Sequence, residues 1–301
     1  MYEENQDPIS SLIHLYVDGA FSRRELIRLV AKHTGSIATA TAAVTALGVA
    51  KAQQPAACPA GLSVPENSPD VVTRDVEYPG DGFTMFGYLV EPKNVSAQQP
   101  GVIVVHENRG LVDHIKDVAR RVARAGFVAL APDLLSRQGG TKLFTDPTSQ
   151  AQAYNRTLPL QRVDDLYASM NFIKFQASVR WDRIGAVGFC AGGGNCWNLA
   201  IGASDLSAAV IYYGTPLPPM DQLDAIQAPV LTHYAELDRT LSNNVLPIAS
   251  GMLTRQKTFG MNIWQGVGHA FNNDTSPAFN PTAACDAWTR TIGWFDKFLR
   301  V

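Results

Sequence analysis

The chain has 301 residues, 46% of them hydrophobic and 17% charged, with a formal net charge of −2. That composition suits a globular protein with one sizeable core plus an appendage. There is no Lys/Arg-rich run to grip nucleic acid or an anionic membrane, so neither is expected as a partner.

The first sixty residues differ in kind from the rest. Ser22-Arg23-Arg24-Glu25 has two readings. In one, Ser22 caps a helix, Glu25 closes a capping box, and Leu26, Ile27, Leu29 and Val30 form an apolar stripe. In the other, the paired arginines, the mildly apolar stretch 37–50 and Ala50-Lys51-Ala52 form a twin-arginine export leader. Residues 1–52 are therefore read as a helical extension or a leader, and 53–70, rich in Pro and Ala, as a linker. The first reading keeps the protein in the cytoplasm; the second sends it to the periplasm. The stretch 37–50 is too short and too weakly apolar to span a bilayer.

From Val71 onward the pattern is βα alternation, which defines the main domain, 71–301. Val71–Tyr78 and Phe83–Val90 read as antiparallel strands across the turn Pro79-Gly80-Asp81-Gly82. Gly101–His106 is a buried strand. Asp113–Ala125 follows as a helix, with Ile115, Val118, Ala119 and Val122 inward and Arg120, Arg121 and Arg124 largely solvated. Phe127–Ala131 is the next strand, and 132–160 is a long excursion with a helix near Ser149–Asn155. Asp164–Gln176 is amphipathic. Further strands are expected at Ala208–Tyr213, Pro229–Tyr234 and Phe259–Trp264, and helices near Leu241–Arg255 and Thr282–Leu299. Strands alternating with helical crossovers make an α/β fold, a mostly parallel sheet covered on both faces.

Between the amphipathic helix and Ala208 lies the chain's most specific stretch. Ile184 to Phe189 is a buried strand, Cys190 a tight turn, and Ala191 to about Ala200 a small-residue helix. Gly188, Gly192 and Gly193 clear space around the cysteine, giving a G-x-C-x-G version of the nucleophile elbow. The N-terminal end of the following helix favours a thiolate and a developing oxyanion. The four cysteines, Cys58, Cys190, Cys196 and Cys285, show no metal-ligand spacing and are too few for a disulfide scaffold.

In such sheets the chemistry sits at the carboxyl ends of the strands. Four loops there carry reactive side chains: His106 to Gly110, Cys190, Glu236 to Asp238, and Gly266 to Phe271. A thiol nucleophile needs a base, and the base needs an acid to fix its tautomer. His269 and Asp238 complete that set in the order Cys, Asp, His, with Glu236 as the rival acid. His233, inside its strand, is structural; His106 either lines the pocket or ends a strand; His14 and His114 are surface positions.

The blocks His106-Glu107-Asn108-Arg109-Gly110, Ala131-Pro132-Asp133-Leu134, Gly188 to Gly193, Tyr212-Tyr213-Gly214, Glu236-Leu237-Asp238 and Gly268-His269-Ala270-Phe271 resemble the dienelactone hydrolase family, carboxymethylenebutenolidases of the α/β-hydrolase superfamily. The resemblance runs from about residue 71 to the C-terminus. It implies a thiol hydrolase of small esters or lactones that needs neither metal nor organic cofactor. Cys190 would attack the carbonyl, His269 would pass the proton and Asp238 would orient the imidazole. The backbone N–H groups of Ala191 and Asn108 would hold the oxyanion, and Glu107 would take the thiol's proton. The family's two substrate-binding arginines fall here on Gln150 and Asn273, so Arg109, Arg137 or Arg156 would have to bind any carboxylate. The alternatives are an acyl transferase or thioesterase on the same triad, and a non-catalytic protein in which Cys190 senses oxidation. The partner expected is a small ester or lactone, and a homo-oligomer is compatible with the sequence.

Overall fold

The computed structural model describes residues 27, 28, 30–32, 35, 36, 62–93 and 95–301. Most of the N-terminal extension and the first part of the linker thus lie outside the described residues. Residues 27, 28 and 30–32 are helical and Val30 is buried. The remainder of the linker is not loose. Val64 is fully buried, its N–H donates to Asp117 Oδ1 (2.6 Å) and its carbonyl accepts from Arg120 Nε (2.5 Å).

Eight strands form one sheet: β1 (Val71–Pro79), β2 (Thr84–Pro92), β3 (Gln99–Val105), β4 (Val128–Pro132), β5 (Val179–Phe189), β6 (Ala208–Tyr212), β7 (Val230–Ala235) and β8 (Phe259–Trp264). Their spatial order is β1-β2-β4-β3-β5-β6-β7-β8. β2 runs antiparallel to both β1 and β4, and every pair from β4 to β8 is parallel. β1 and β2 can be neighbours through a tight turn because they are antiparallel, whereas each parallel pair needs a crossover. The α-helices from Val71 onward are α1 (Asp113–Arg124), α2 (Pro147–Arg156), α3 (Pro159–Lys174), α4 (Ala191–Gly202), the single turn α5 (Arg239–Ser242), α6 (Val245–Thr254) and α7 (Pro281–Leu299).

The central strands read as unbroken apolar runs because both faces are covered. In β3, Val102 and Val104 join the core that takes Ile115, Val118 and Val122 of α1 and Ala287, Phe295 and Leu299 of α7. Ile103 and Val105 join the opposite core, with Leu166, Met170 and Ile173 of α3 and Trp197 and Leu199 of α4. Successive strand residues point to opposite faces, so one sequence run supplies both layers.

Three expectations need correction. Helix α3 begins at Pro159 rather than Asp164; proline suits a first turn, and Gln161 Oε1 accepts from the Leu158 N–H (2.9 Å). Arg120 and Arg121 are buried, not solvated, because carboxylates cover that edge of α1: Arg121 binds Asp117 and Asp274, and Arg120 binds the Val64 carbonyl and the Tyr88 hydroxyl. His114 is also buried, with Nδ1 3.0 Å from Asp274 Oδ1. None of the helices among the described residues is long and apolar enough to cross a membrane.

Candidate active site

Strand β5 delivers Cys190 to the N-cap of α4 with φ 52° and ψ −120°, a backbone conformation that side chains rarely adopt. The Cys190 N–H donates to Tyr212 O (3.0 Å), and its carbonyl accepts from Gly194 N and Thr215 N (each 3.1 Å). The flanking glycines are required by close approach. A Cβ on Gly188 would land on the Gly192 carbonyl and 2.6 Å from Cys196 Sγ. One on Gly192 would meet the carbonyl oxygens of Val105 and His106. The elbow is thus wedged against the end of β3, whose loop carries Glu107 and Asn108.

Strand register explains which side chains meet. Val105 pairs with Gly188 and Phe189 with Tyr212, so residues 107, 190 and 213 leave the sheet side by side. Tyr212 pairs with His233, and Ala235 with Trp264, which brings the loops after β7 and β8 to the same edge. There Asp238 Oδ2 lies 2.5 Å from His269 Nδ1. The rival acid, Glu236, is exposed and accepts from the Gly266 N–H (2.8 Å), fastening the histidine loop from outside.

His269 also lies beside the Cys190 side chain. Burial opposes its charge, but the hydrogen bond and charge of Cys190, then those of Asp238, outweigh it and raise the imidazole to about 9. The histidine loop is held at its far end by Asp274. Its carboxylate binds His114 and the buried guanidinium of Arg121, and the His114 bond leads the causes that lower it to about 2.

Among the described residues the other cysteines do not compete for this position. Burial pushes the Cys196 thiol upward, and Cys285 is disulfide-bonded. His233 is sealed in the core: Nδ1 accepts from Trp264 Nε1 (3.3 Å), Nε2 faces Thr291 Oγ1 (3.3 Å), and burial, then the charge of Arg290, lowers it to about 3. His106 is likewise a strut. Its Nε2 accepts from the Leu134 N–H (2.9 Å), which leaves the ring proton on Nδ1, aimed at the Glu107 carbonyl 2.5 Å away. That tautomer ties the Glu107–Asn108 loop to the loop after β4.

Among the described residues, the N–H groups of Ala191 and Asn108 have no acceptor, and both residues are half-buried. Ala191 is in the first turn of α4, where amides have no intrahelical partner. Glu107 is buried, with no hydrogen bond to Oε1 among the described residues and no ion pair to Arg109 or Arg137.

The residues read as substrate-binding candidates are not gathered into one cationic patch. Arg137 is forked onto the buried Asp165, Nε at 3.1 Å and Nη2 at 2.9 Å. Gln150 donates to the Phe144 carbonyl (3.2 Å). Asn273 is buried, its Oδ1 closing a turn with Thr275 N (2.9 Å) and Oγ1 (2.7 Å). Arg109 and Arg156 are exposed, with no ion pair among the described residues.

One residue at the site escaped the reading of the sequence in any role of its own. Tyr213 is fully buried with φ 39°, and its ring lies 4.8 Å from that of His269. Four non-glycine residues among those described have positive φ, and three of them, Cys190, Tyr213 and Ala270, surround this site. Such strain persists where the surrounding structure over-determines it, and it clusters at functional sites. Tyrosine has no preference for this conformation, so the sequence carries no signal for it.

A mostly parallel eight-stranded sheet, with a strained residue at a strand-to-helix elbow and an Asp–His pair at the same edge, defines an α/β-hydrolase fold. The chain belongs to the dienelactone hydrolase family, whose model matches residues 85–299. A relative from Escherichia coli O157:H7 with the provisional name carboxymethylenebutenolidase is 31% identical, over 81% of this chain and 94% of its own length. Another, from a Bradyrhizobium species, carries the provisional name 2-oxo-3-(5-oxofuran-2-ylidene)propanoate lactonase; it is 32% identical over 70% of this chain and 89% of its own. Among solved structures, a protein from Klebsiella pneumoniae crystallised under a provisional dienelactone hydrolase assignment superposes with a TM-score of 0.70 at 28% identity. That match covers 76% of this chain and 99% of the other.

Proposed function

We propose that the protein hydrolyses small esters or lactones through an acyl-enzyme on Cys190. The observation that carries this reading is the position of His269, bonded to the Asp238 carboxylate at 2.5 Å on one side and lying beside the Cys190 side chain on the other. Asp238 holds the Nδ1 proton and leaves Nε2 to exchange protons with the sulfur and with water.

In acylation the Glu107 carboxylate takes the proton from Sγ, which leaves the thiolate whose charge raises His269, and the sulfur attacks the carbonyl carbon. The oxyanion forms against the N–H groups of Ala191 and Asn108, a pair of preorganised donors typically worth ~3 kcal/mol each to the transition state. Collapse breaks the C–O bond, and the departing alkoxide takes the proton back from Glu107. In deacylation His269 removes a proton from water, hydroxide adds to the acyl carbon, and the C–S bond breaks. The imidazolium then returns its proton to the thiolate, and carboxylic acid leaves. Atoms and charges close on one water consumed.

Substrate charge follows from the arginines. With Gln150 and Asn273 tied to backbone partners and Arg137 held by Asp165, the two positions that match the family's arginines offer a substrate carboxylate no guanidinium fork, so neutral esters and lactones suit the site at least as well as anionic ones. The test is a panel of neutral and carboxylated lactones and esters with turnover measured on each. No turnover of any member by wild type, with Cys190 titrating as a free thiol, would refute the reading.

A further inference from the structure

Glu107 and Tyr213 present an accounting problem. Both are buried, and each has a polar atom without a partner among the described residues, Oε1 on Glu107 and the hydroxyl on Tyr213. An unsatisfied buried polar group is costly, and most in folded proteins are paired. The two are complementary, since an ionised carboxylate only accepts and a phenol can donate. Strand register brings them out on either side of Cys190. The negative charges of Glu107 and Cys190 both bear on the Tyr213 hydroxyl, after burial the main influences on it. The strained backbone at Tyr213, φ 39°, keeps its ring packed against His269 and Phe271 instead of following the strand direction.

We propose that Tyr213 is a positioning residue for acylation, its hydroxyl donating a hydrogen bond to the Glu107 carboxylate and so aiming the other oxygen at the Cys190 thiol. Tyr213 transfers no proton itself. It fixes the rotamer of a carboxylate that has no ion pair among the described residues to fix it, and it does so from the strand next to the nucleophile. The proposal rests on the reading of Glu107 as the acceptor of the thiol's proton.

The experiment is a double-mutant cycle read by single-turnover acylation with a slow alkyl ester. Tyr213→Phe keeps the ring and its packing and removes only the hydroxyl. It should lower the acylation rate constant about tenfold, the size of effect expected when a buried charged acceptor loses a donor, while the half-saturating ester concentration stays within about twofold. In a Glu107→Gln background the same substitution should change the rate by less than about twofold, because residues acting through one another are non-additive. Equal losses in both backgrounds, or no loss in either, overturn the proposal and leave the Glu107 reading intact. If Glu107→Gln alone leaves acylation unchanged, the Glu107 reading falls and the role of Tyr213 falls with it. Thiol titration of every variant confirms that Cys190 remains present and accessible.

Discussion

The backbone at Cys190 makes a quantitative prediction about stability. At φ 52° and ψ −120° the Cβ is crowded whatever the side chain carries, so Cys190→Ala keeps the strain while Cys190→Gly releases it. Strain of this kind costs ~1–3 kcal/mol. Glycine returns ~0.5–1 kcal/mol of that through the extra freedom of the unfolded chain. Cys190→Gly should therefore be more stable than Cys190→Ala by ~1 kcal/mol, the reverse of their order in a helix or strand interior. The assay is urea unfolding of the two variants side by side, compared at equal m so that the shift in midpoint reports stability alone. The comparison cancels loss of the thiol, which both variants share. If Cys190→Ala proves equal or more stable, the elbow is not strained as described.

Four further outcomes follow from the site. Cys190→Ala should abolish turnover, whereas Cys196→Ala, which alters a buried thiol packed beneath the elbow, should keep it; the opposite pattern in an ester assay would reassign the nucleophile. Asp238→Asn should lower kcat by ~10²–10⁴-fold by favouring the wrong imidazole tautomer, with the fold unchanged by circular dichroism. Because His269 is raised in the fold to about 9 from its ordinary 6.5, its contribution to stability is complete below pH 6.5 and is lost as pH rises through 9. The stability gap between wild type and His269→Gln should narrow across that window, and a gap that widens would contradict the causes assigned. Wild type should discriminate weakly between a carboxylated lactone and its neutral ester, and Gln150→Arg with Asn273→Arg should raise the preference; a hundredfold anionic preference in wild type would point to Arg109 or Arg156 instead.

What the sequence disclosed depended on whether a residue's constraint was local. The elbow was legible because Gly188, Gly192 and Gly193 are needed within three positions of Cys190, and the hairpin of β1 and β2 because its turn chemistry is contiguous. Asp238 and His269 could be chosen because strand ends can be counted. The contacts that misled are distant ones. Arg121 reads as solvated on a helical wheel, yet Asp274 lies 153 residues away in sequence and buries it. Arg137 reads as a free cation until Asp165 closes on it. His114 reads as a surface residue because the loop beyond His269, which covers it, has no periodic pattern to place it. Tyr213 was visible as part of a motif, but neither the strain at its backbone nor its unpartnered hydroxyl has any signature in residue type.

A covalent acyl intermediate at one sulfur is the centre of the proposed mechanism. The direct measurement is to mix the His269→Ala variant, in which deacylation should stall, with a slowly hydrolysed ester, quench in acid and determine intact mass followed by peptide mapping. The expected result is a mass increase equal to one acyl group, carried by the peptide containing Cys190 and absent from Cys190→Ala. Label on the Cys196 side chain, or wild-type turnover of the same ester with no adduct in rapidly quenched samples, would contradict it.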